Sequence, residues 1–329
     1  MTRRGQPVSL DLAALLANAA WNARDAAKPY LLSPIDLQTV KAAGVTYVRS
    51  MLERVVEERC RGDATQAEAV RAEFRAIIGD DLTAIIPGSA EAMRLKAALL
   101  AKGWWSQYLE VGIGPDAEIF TKCPAMASVG TGSKIGVHPV SAWSNPEPEA
   151  VMVVNSKGRI QGATLGNDVN LRDVEGRSAL LLGRAKDNNA SAALGPMIRL
   201  FDAGFTLEDV RRAELSLTIT GRDGFELAES GAVGAISRDP ADVVAQMIGA
   251  HHQYPDGAVL YLGTPFSPAK DRGAPGMGFT HHEGDVVRIE SARLGVLVNE
   301  VDRTDECPPW RYGIGALYAS LAARGLPRP

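Results

Sequence analysis

Glu147 and Glu149 stand two residues apart in the run Asn145-Pro146-Glu147-Pro148-Glu149. Pro148 keeps Glu147 out of the helical region, and Pro146 does the same for Asn145, so the segment is extended. In an extended chain residues i and i+2 share a face, and the two carboxylates point the same way. Downstream, Val151-Met152-Val153-Val154 reads as a strand, Ser156-Lys157-Gly158-Arg159 as a tight turn, and Ile160 to Leu165 as the returning strand. With Lys157-Gly158 as a two-residue turn, Ser156 pairs with Arg159. Counting outward then places Glu149 opposite Gly166 and Glu147 opposite Asp168. Cross-strand partners share a face, so Asp168 joins the two glutamates. Three carboxylates this close repel one another unless something neutralises them, and a hard divalent cation such as Mg2+ is the natural partner of an all-oxygen set. A solvated polar hairpin face is the alternative reading of the same spacing.

Three further residues have types suited to chemistry. Arg172, four residues after Asp168, offers a forked contact to a substrate carboxylate; the alternative is a surface pair with Asp173 or Glu175. Lys186 lies in the Gly- and Asn-rich stretch Gly183 to Asn189 and is a candidate electrophile, since an ammonium beside Mg2+ stabilises an enolate. An ordinary exposed loop lysine is the competing reading. Gly263-Thr264-Pro265 follows a strand at a tight turn, where a hydroxyl or a backbone N–H can hold a carboxylate.

The elements that must position these residues are mostly strands. Residues 7 to 28 are alanine-rich and read as one helix; Gly44 to Tyr47 reads as a short strand and Met51 to Arg61 as a helix. Gln66 to Ile78 and Ser89 to Lys102 carry apolar residues at helical spacing, punctuated by Gly79 and Pro87-Gly88. From Tyr108 the chain turns to short strands: Leu109–Ile113, Glu118–Lys122, Leu215–Thr220, Val259–Leu262, Val286–Ile289 and Val296–Val301, besides the hairpin. Two helices interrupt them. One opens at Thr206-Leu-Glu-Asp209 with a capping-box pattern, and one opens at Pro240 and runs to about His251. The fold class is α+β, with an N-terminal region (residues 1–30), an arm and helical insertion (31–107) and a β-rich domain that carries the carboxylates (108–326).

Composition narrows the function classes. A hydrophobic fraction of 46% over 329 residues supports a sizeable core, and a net charge of -4 argues against nucleic acid as a partner. No apolar run approaches the length of a membrane helix. Arg3-Arg4 precedes a mildly apolar stretch, but Asp11 interrupts it and no small-residue cleavage site follows, so no secretion signal is expected. Cys60, Cys123 and Cys307 are odd in number, far apart and without zinc spacing, which fits a reducing cytoplasm. His251-His252 and His281-His282 are adjacent pairs whose side chains diverge, so neither reads as a metal clamp.

The order Glu147-x-Glu149, then Asn167-Asp168-x-x-x-Arg172-Asp173, then Lys186, Pro255-Asp256-Gly257 and Gly263-Thr264 resembles the fumarylacetoacetate hydrolase superfamily. That resemblance implies a mixed β-roll around a metal, usually in a homodimer or larger homo-oligomer, with Glu147, Glu149 and Asp168 as ligands of Mg2+ (or Mn2+). Residues 52–59, Trp105 to Val111, Gly114 to Lys122 and Gly166 to Ser178 are similar to the sugar-acid dehydratases of the superfamily. The implied reaction is loss of water from a 2-keto-3-deoxy pentonate to give 2,5-dioxopentanoate. The hydrolases carry Tyr-x-x-His-x-x-Glu on an arm near the metal, where His and Glu activate water. The matching run here is Tyr47-Val-Arg-Ser50-Met-Leu-Glu53. A serine is no general base near neutral pH without a base of its own, so water activation is weakened while elimination is not. On this reading Lys186 and Glu53 are catalytic, and Arg172, Thr264 and Ser50 contact the substrate. An acylpyruvate-type hydrolase or a 2-oxo acid decarboxylase on the same metal is the runner-up.

Overall fold

The computed structural model describes residues 10–47 and 85–326, apart from residue 269 and residues 273–277, together with a few positions between 51 and 76. Strands β1 (Thr39–Gly44), β2 (Glu118–Cys123), β3 (Lys134–Val137), β4 (Ser144–Asn145), β5 (Pro148–Val154), β6 (Ile160–Asp168), β7 (Asn170–Leu171), β8 (Ala192–Leu200), β9 (Glu214–Thr220), β10 (Glu226–Ala232), β11 (Ala258–Tyr261), β12 (Val286–Ser291) and β13 (Gly295–Arg303) build three sheets. One is six-stranded, in the order β2-β1-β11-β5-β6-β8; one is five-stranded, in the order β10-β9-β12-β13-β3; β4 and β7 form a two-stranded ribbon. The β1–β11 and β3–β13 pairs are parallel. β1, from the segment expected to form an arm, is thus a member of the large sheet.

The β5–β6 hairpin is central because β5 is covered on both faces. Ala150, Met152 and Val154 pack with Ala163 and Leu165 of β6 and with Leu215, Leu217, Ile219, Val287, Ile289 and Leu297 of the second sheet. Val151 points the other way, into a core with Val40, Ala42, Leu194, Val259 and Tyr261. A strand buried on both sides needs a continuous apolar run rather than alternation, which is what Ala150 to Val154 supplies. By parity Glu149 shares the face of Val151, away from the second sheet. Gly166 opposite it has to be glycine: a Cβ there would stand 2.3 Å from Tyr261 Cε1 and 2.6 Å from Val151 Cγ2.

The predicted register holds. Glu149 pairs with Gly166, Val153 with Gly162, and Asp168 N donates to Glu147 O at 3.0 Å. The turn differs. Val154 pairs with Ile160, Gly158 N donates to Asn155 O at 3.0 Å, and Gly158 takes a positive φ of 75°. The loop is longer than the two residues expected, and a register shift after Val153 compensates it.

The helices are α1 (Leu12–Ala17), α2 (Ala90–Ala101), α3 (Gln107–Ile113), α4 (Arg172–Glu175), α5 (Leu182–Lys186), α6 (Leu207–Arg211), α7 (Pro240–Met247) and α8 (Ile314–Ala323) among the described residues. α6 opens with the predicted capping box at Thr206, and α7 has Pro240 in its first turn but stops at Met247. Three expectations are corrected. Residues 7–28 are not one helix: α1 ends at Asn18, whose amide donates to the Asp25 and Pro29 carbonyls at 3.0 Å and folds the chain into turns. Leu109–Ile113 is helical, because Ser106 caps Leu109 N and the i, i+4 pair Leu109 and Ile113 packs with Leu99 and Trp104. The strand read at Gly44–Tyr47 is β1, which ends at Gly44 because Val45 takes φ 53°. Most of Met51–Arg61 and Gln66–Ile78 lies outside the described residues.

Just before β12, Asp285 is fully enclosed by Arg272, His281 and the His282 N–H, with Arg272 Nη2 at 2.8 Å and Nη1 at 2.5 Å. Burial alone would raise this carboxyl, but His281, Arg272 and the His282 N–H hold it down at about 2. A depressed native pKa stabilises the fold above the unfolded value of about 3.9, and that stability is lost as pH falls from there toward 2. Acid unfolding followed by circular dichroism should therefore show a limb between about pH 4 and pH 2 that Asp285→Asn flattens.

Candidate metal centre

Asn145 and Asn170 pair across the β4–β7 ribbon, which turns the chain into the ends of β5 and β6. There Glu147, Glu149 and Asp168 each present an oxygen within 4.8 Å of the other two, and all three residues are buried. Glu149 Oε2 accepts from Gly263 N at 2.6 Å. Thr264 supports that contact from behind: its hydroxyl is bonded to the Pro148 carbonyl at 3.1 Å and the Phe266 carbonyl at 2.6 Å, so it fastens the loop to β5.

Two ammonium groups meet the three carboxylates. α5 delivers Lys186, whose Nζ stands 2.5 Å from Glu147 Oε2 and 3.2 Å from Asp168 Oδ2. β2 delivers Lys122, wholly buried, with Nζ 2.7 Å from Asp168 Oδ1. This second contact is an ion pair rather than an aligned hydrogen bond, since the Lys122 N–H donors are directed at Val169 O (3.1 Å), Lys186 O (2.5 Å) and Ser191 Oγ (3.3 Å). A fourth acid approaches through Asn170, whose amide donates to Glu147 Oε1 at 3.0 Å and Glu175 Oε2 at 2.6 Å. Arg172 lies with its guanidinium 4.3 Å from the Trp143 ring centroid, and its N–H donates to Trp143 O at 2.9 Å. Asp173 for its part accepts from Ser141 Oγ and Ala142 N.

Burial, then Asp168 and Glu147, push Glu149 well above the usual carboxylate range. Glu147 is raised by burial, Asp168 and Glu175, against the pull of Lys186. For Lys186 burial works to lower the pKa, but Asp168, Glu147 and Glu175 outweigh it and keep the ammonium protonated. A buried cluster of three hard-oxygen carboxylates facing two ammonium groups fits a small divalent cation, whose charge would offset the burial and repulsion that raise Glu147 and Glu149. Soft or nitrogen donors are absent from the triad, so Mg2+ or Mn2+ suits it better than zinc or copper.

The sequence reading brought Glu147, Glu149, Asp168 and Lys186 to one place, with Thr264 one residue from the Gly263 contact. Ser50 and Glu53 lie outside the described residues. It missed Lys122, Trp143, Asn170 and Glu175. A signal existed for Lys122: it stands two residues from Phe120 on β2 and so shares the strand face that Phe120 packs against the core. Glu175 is three residues from Arg172, one helical turn away, and Asn170 is two from Asp168.

Residues 115–302 match the profile of the fumarylacetoacetate (FAA) hydrolase C-terminal family, and the chain belongs to that family. Within it, the chain is 31% identical over 194 residues to the "Probable 2-keto-3-deoxyxylonate dehydratase" of Haloferax volcanii, covering 59% of this chain and 63% of the relative. It is 30% identical over 186 residues to the 2-dehydro-3-deoxy-D-arabinonate dehydratase of Saccharolobus solfataricus, covering 56% of this chain and 59% of that one. The matches thus span less than two thirds of either relative. The fold is similar to that of 2-keto-3-deoxy-D-arabinonate dehydratase complexed with magnesium and 2,5-dioxopentanoate, at a TM-score of 0.60 and 22% identity over 90% of this chain and 82% of that one.

Proposed function

We propose that this protein is a hydro-lyase that removes water from a 2-keto-3-deoxy pentonate of the xylonate or arabinonate series, giving 2,5-dioxopentanoate, with Mg2+ (or Mn2+) held by Glu147, Glu149 and Asp168. The observation that carries the reading is the buried triad with the Lys186 ammonium between two of its members. The relatives' names point the same way. The cation, when bound, supplies Lewis acidity to the carboxylate and carbonyl end of a 2-keto acid.

The protein's own groups account for the rest. Arg172, braced on Trp143, orients the substrate carboxylate. Lys186 offers positive charge to the developing enolate oxygen or takes the C3 proton. Glu53 is the acid for the departing C4 hydroxyl, with Ser50 beside the substrate in place of the hydrolases' histidine. The C3 proton and the C4 hydroxyl leave as one water, and the enone isomerises to the aldehyde. The proposal extends to a cytoplasmic setting, supported by free buried Cys123 and Cys307, and to a homodimer or larger homo-oligomer. No described helix is long and apolar enough to cross a membrane. The division at residues 30 and 107 is proposed on the same footing.

The test is a panel of 2-keto-3-deoxy acids, with and without EDTA, with trapping of the aldehyde product. Mg2+-dependent semialdehyde formation is expected. Pyruvate from acylpyruvates without any semialdehyde would instead make the protein an acylpyruvate hydrolase, and binding without turnover would make it a non-catalytic binder.

A further inference from the structure

The β4–β7 ribbon carries a second chemical feature beside the carboxylates. Asn145 and Asn170 are cross-strand partners, so their side chains share a face, and the Asn170 amide reaches Glu147. Both residues are buried. Each amide has its NH2 committed: Asn145 Nδ2 donates to Pro146 O at 2.9 Å, and Asn170 Nδ2 donates to two carboxylates. Because all of these partners are acceptors, the orientation of both amides is settled by chemistry. Their carbonyl oxygens, Asn145 Oδ1 and Asn170 Oδ1, are buried and accept no hydrogen bond among the described residues.

Buried acceptors without donors are rare, and two on one face of a ribbon that also bonds Glu147 of the carboxylate triad call for a ligand that donates. A carboxylate or a ketone cannot serve, because neither carries a hydrogen. Resting on the proposed 2-keto acid reading, the acid and keto end is drawn to the cations at Lys186, Arg172 and the triad, which leaves the hydroxyl-bearing tail. We infer that Asn145, seconded by Asn170, accepts a hydrogen bond from the C5 hydroxyl of the substrate and is the residue that selects a polyhydroxy 2-keto acid over a deoxygenated one. Asn170 also holds Glu147, so Asn145 is the position where specificity can be separated from metal binding.

The experiment compares 2-keto-3-deoxy pentonate with 4-hydroxy-2-oxopentanoate, which keeps the leaving hydroxyl at C4 but has a methyl group at C5. The wild-type enzyme with Mg2+ is expected to prefer the pentonate roughly tenfold or more in kcat/KM, the worth of one such hydrogen bond. Asn145→Ala should bring that ratio near one, with the loss falling on the pentonate. A wild-type ratio near one overturns the inference without any variant. So does an Asn145→Ala enzyme that slows on both substrates alike, because a purely structural or metal-positioning asparagine would do that. If the wild type turns over neither acid, the dehydration reading fails by itself. The same ratio is then read in the Kd values of the two acids for the Mg2+-loaded protein, where equal affinities reject the hydroxyl contact and a lost preference in Asn145→Ala supports it.

Discussion

Glu147→Gln should reduce Mg2+-dependent turnover by roughly a thousandfold or more while leaving the β-sheet content of the protein intact. Glutamine keeps an oxygen for the Asn170 amide but withdraws a charge from the triad and turns an NH2 toward Lys186 Nζ, now 2.5 Å from Glu147 Oε2. A cation held by the proposed triad would then lose one of three anionic ligands, in a site where each carboxylate has already been desolvated. Two measurements check this. Steady-state rates at saturating Mg2+ should collapse, and the rise in melting temperature that Mg2+ gives the wild type should shrink or vanish, because a ligand stabilises only in proportion to its affinity. A variant that keeps the Mg2+-induced rise would show that Glu147 is not a metal ligand.

Lys186→Met is the second large effect, and its two readouts move apart. Turnover should fall by about 10²–10⁴-fold, since the group proposed to meet the enolate or carry its proton is gone. Divalent-cation affinity, measured by calorimetry with Mn2+ or Mg2+, should be retained or should rise. The reason is positional: the Lys186 ammonium contacts Glu147 at 2.5 Å and Asp168 at 3.2 Å, so it competes with a cation for the same two carboxylates. Methionine has a similar length and no charge. Burial of its side chain among Phe120 and α5 keeps the local packing. If affinity drops together with turnover, Lys186 merely props up the triad and has no separate chemical part.

These two residues also show how far a linear reading reaches. The proline spacing made Glu147 and Glu149 extended and co-facial, and the outward count along the hairpin put Asp168 beside them; both are local consequences of a period-two backbone. The apolar run of β5 and the caps of α6 and α7 were legible for the same reason. The count survived an error in the turn only because the register shift after Val153 cancelled the longer loop.

What needed the tertiary structure is everything whose meaning depends on a partner far away in sequence. Leu109 and Ile113 read as a strand until Ser106 capped them and the cluster around Leu99 and Trp104 buried their helical face, because short apolar runs fit either period. Lys122 looked like one more charged residue of a strand, and only the meeting of β2 with Asp168, Val169 and the end of α5 makes it a buried counter-charge. The amide oxygens of Asn145 and Asn170 are ordinary in the sequence, and it is the β4–β7 pairing and the burial of the ribbon that leave them without donors among the described residues. The sequence by itself determined the three carboxylates and their common face, because neighbouring residues in a hairpin enforce that geometry, and its resemblance to the family made a cation the favoured partner. Which cations and amides surround them was decided by the packing of separate strands, since burial and charge pairing arise only when distant segments close on the same space.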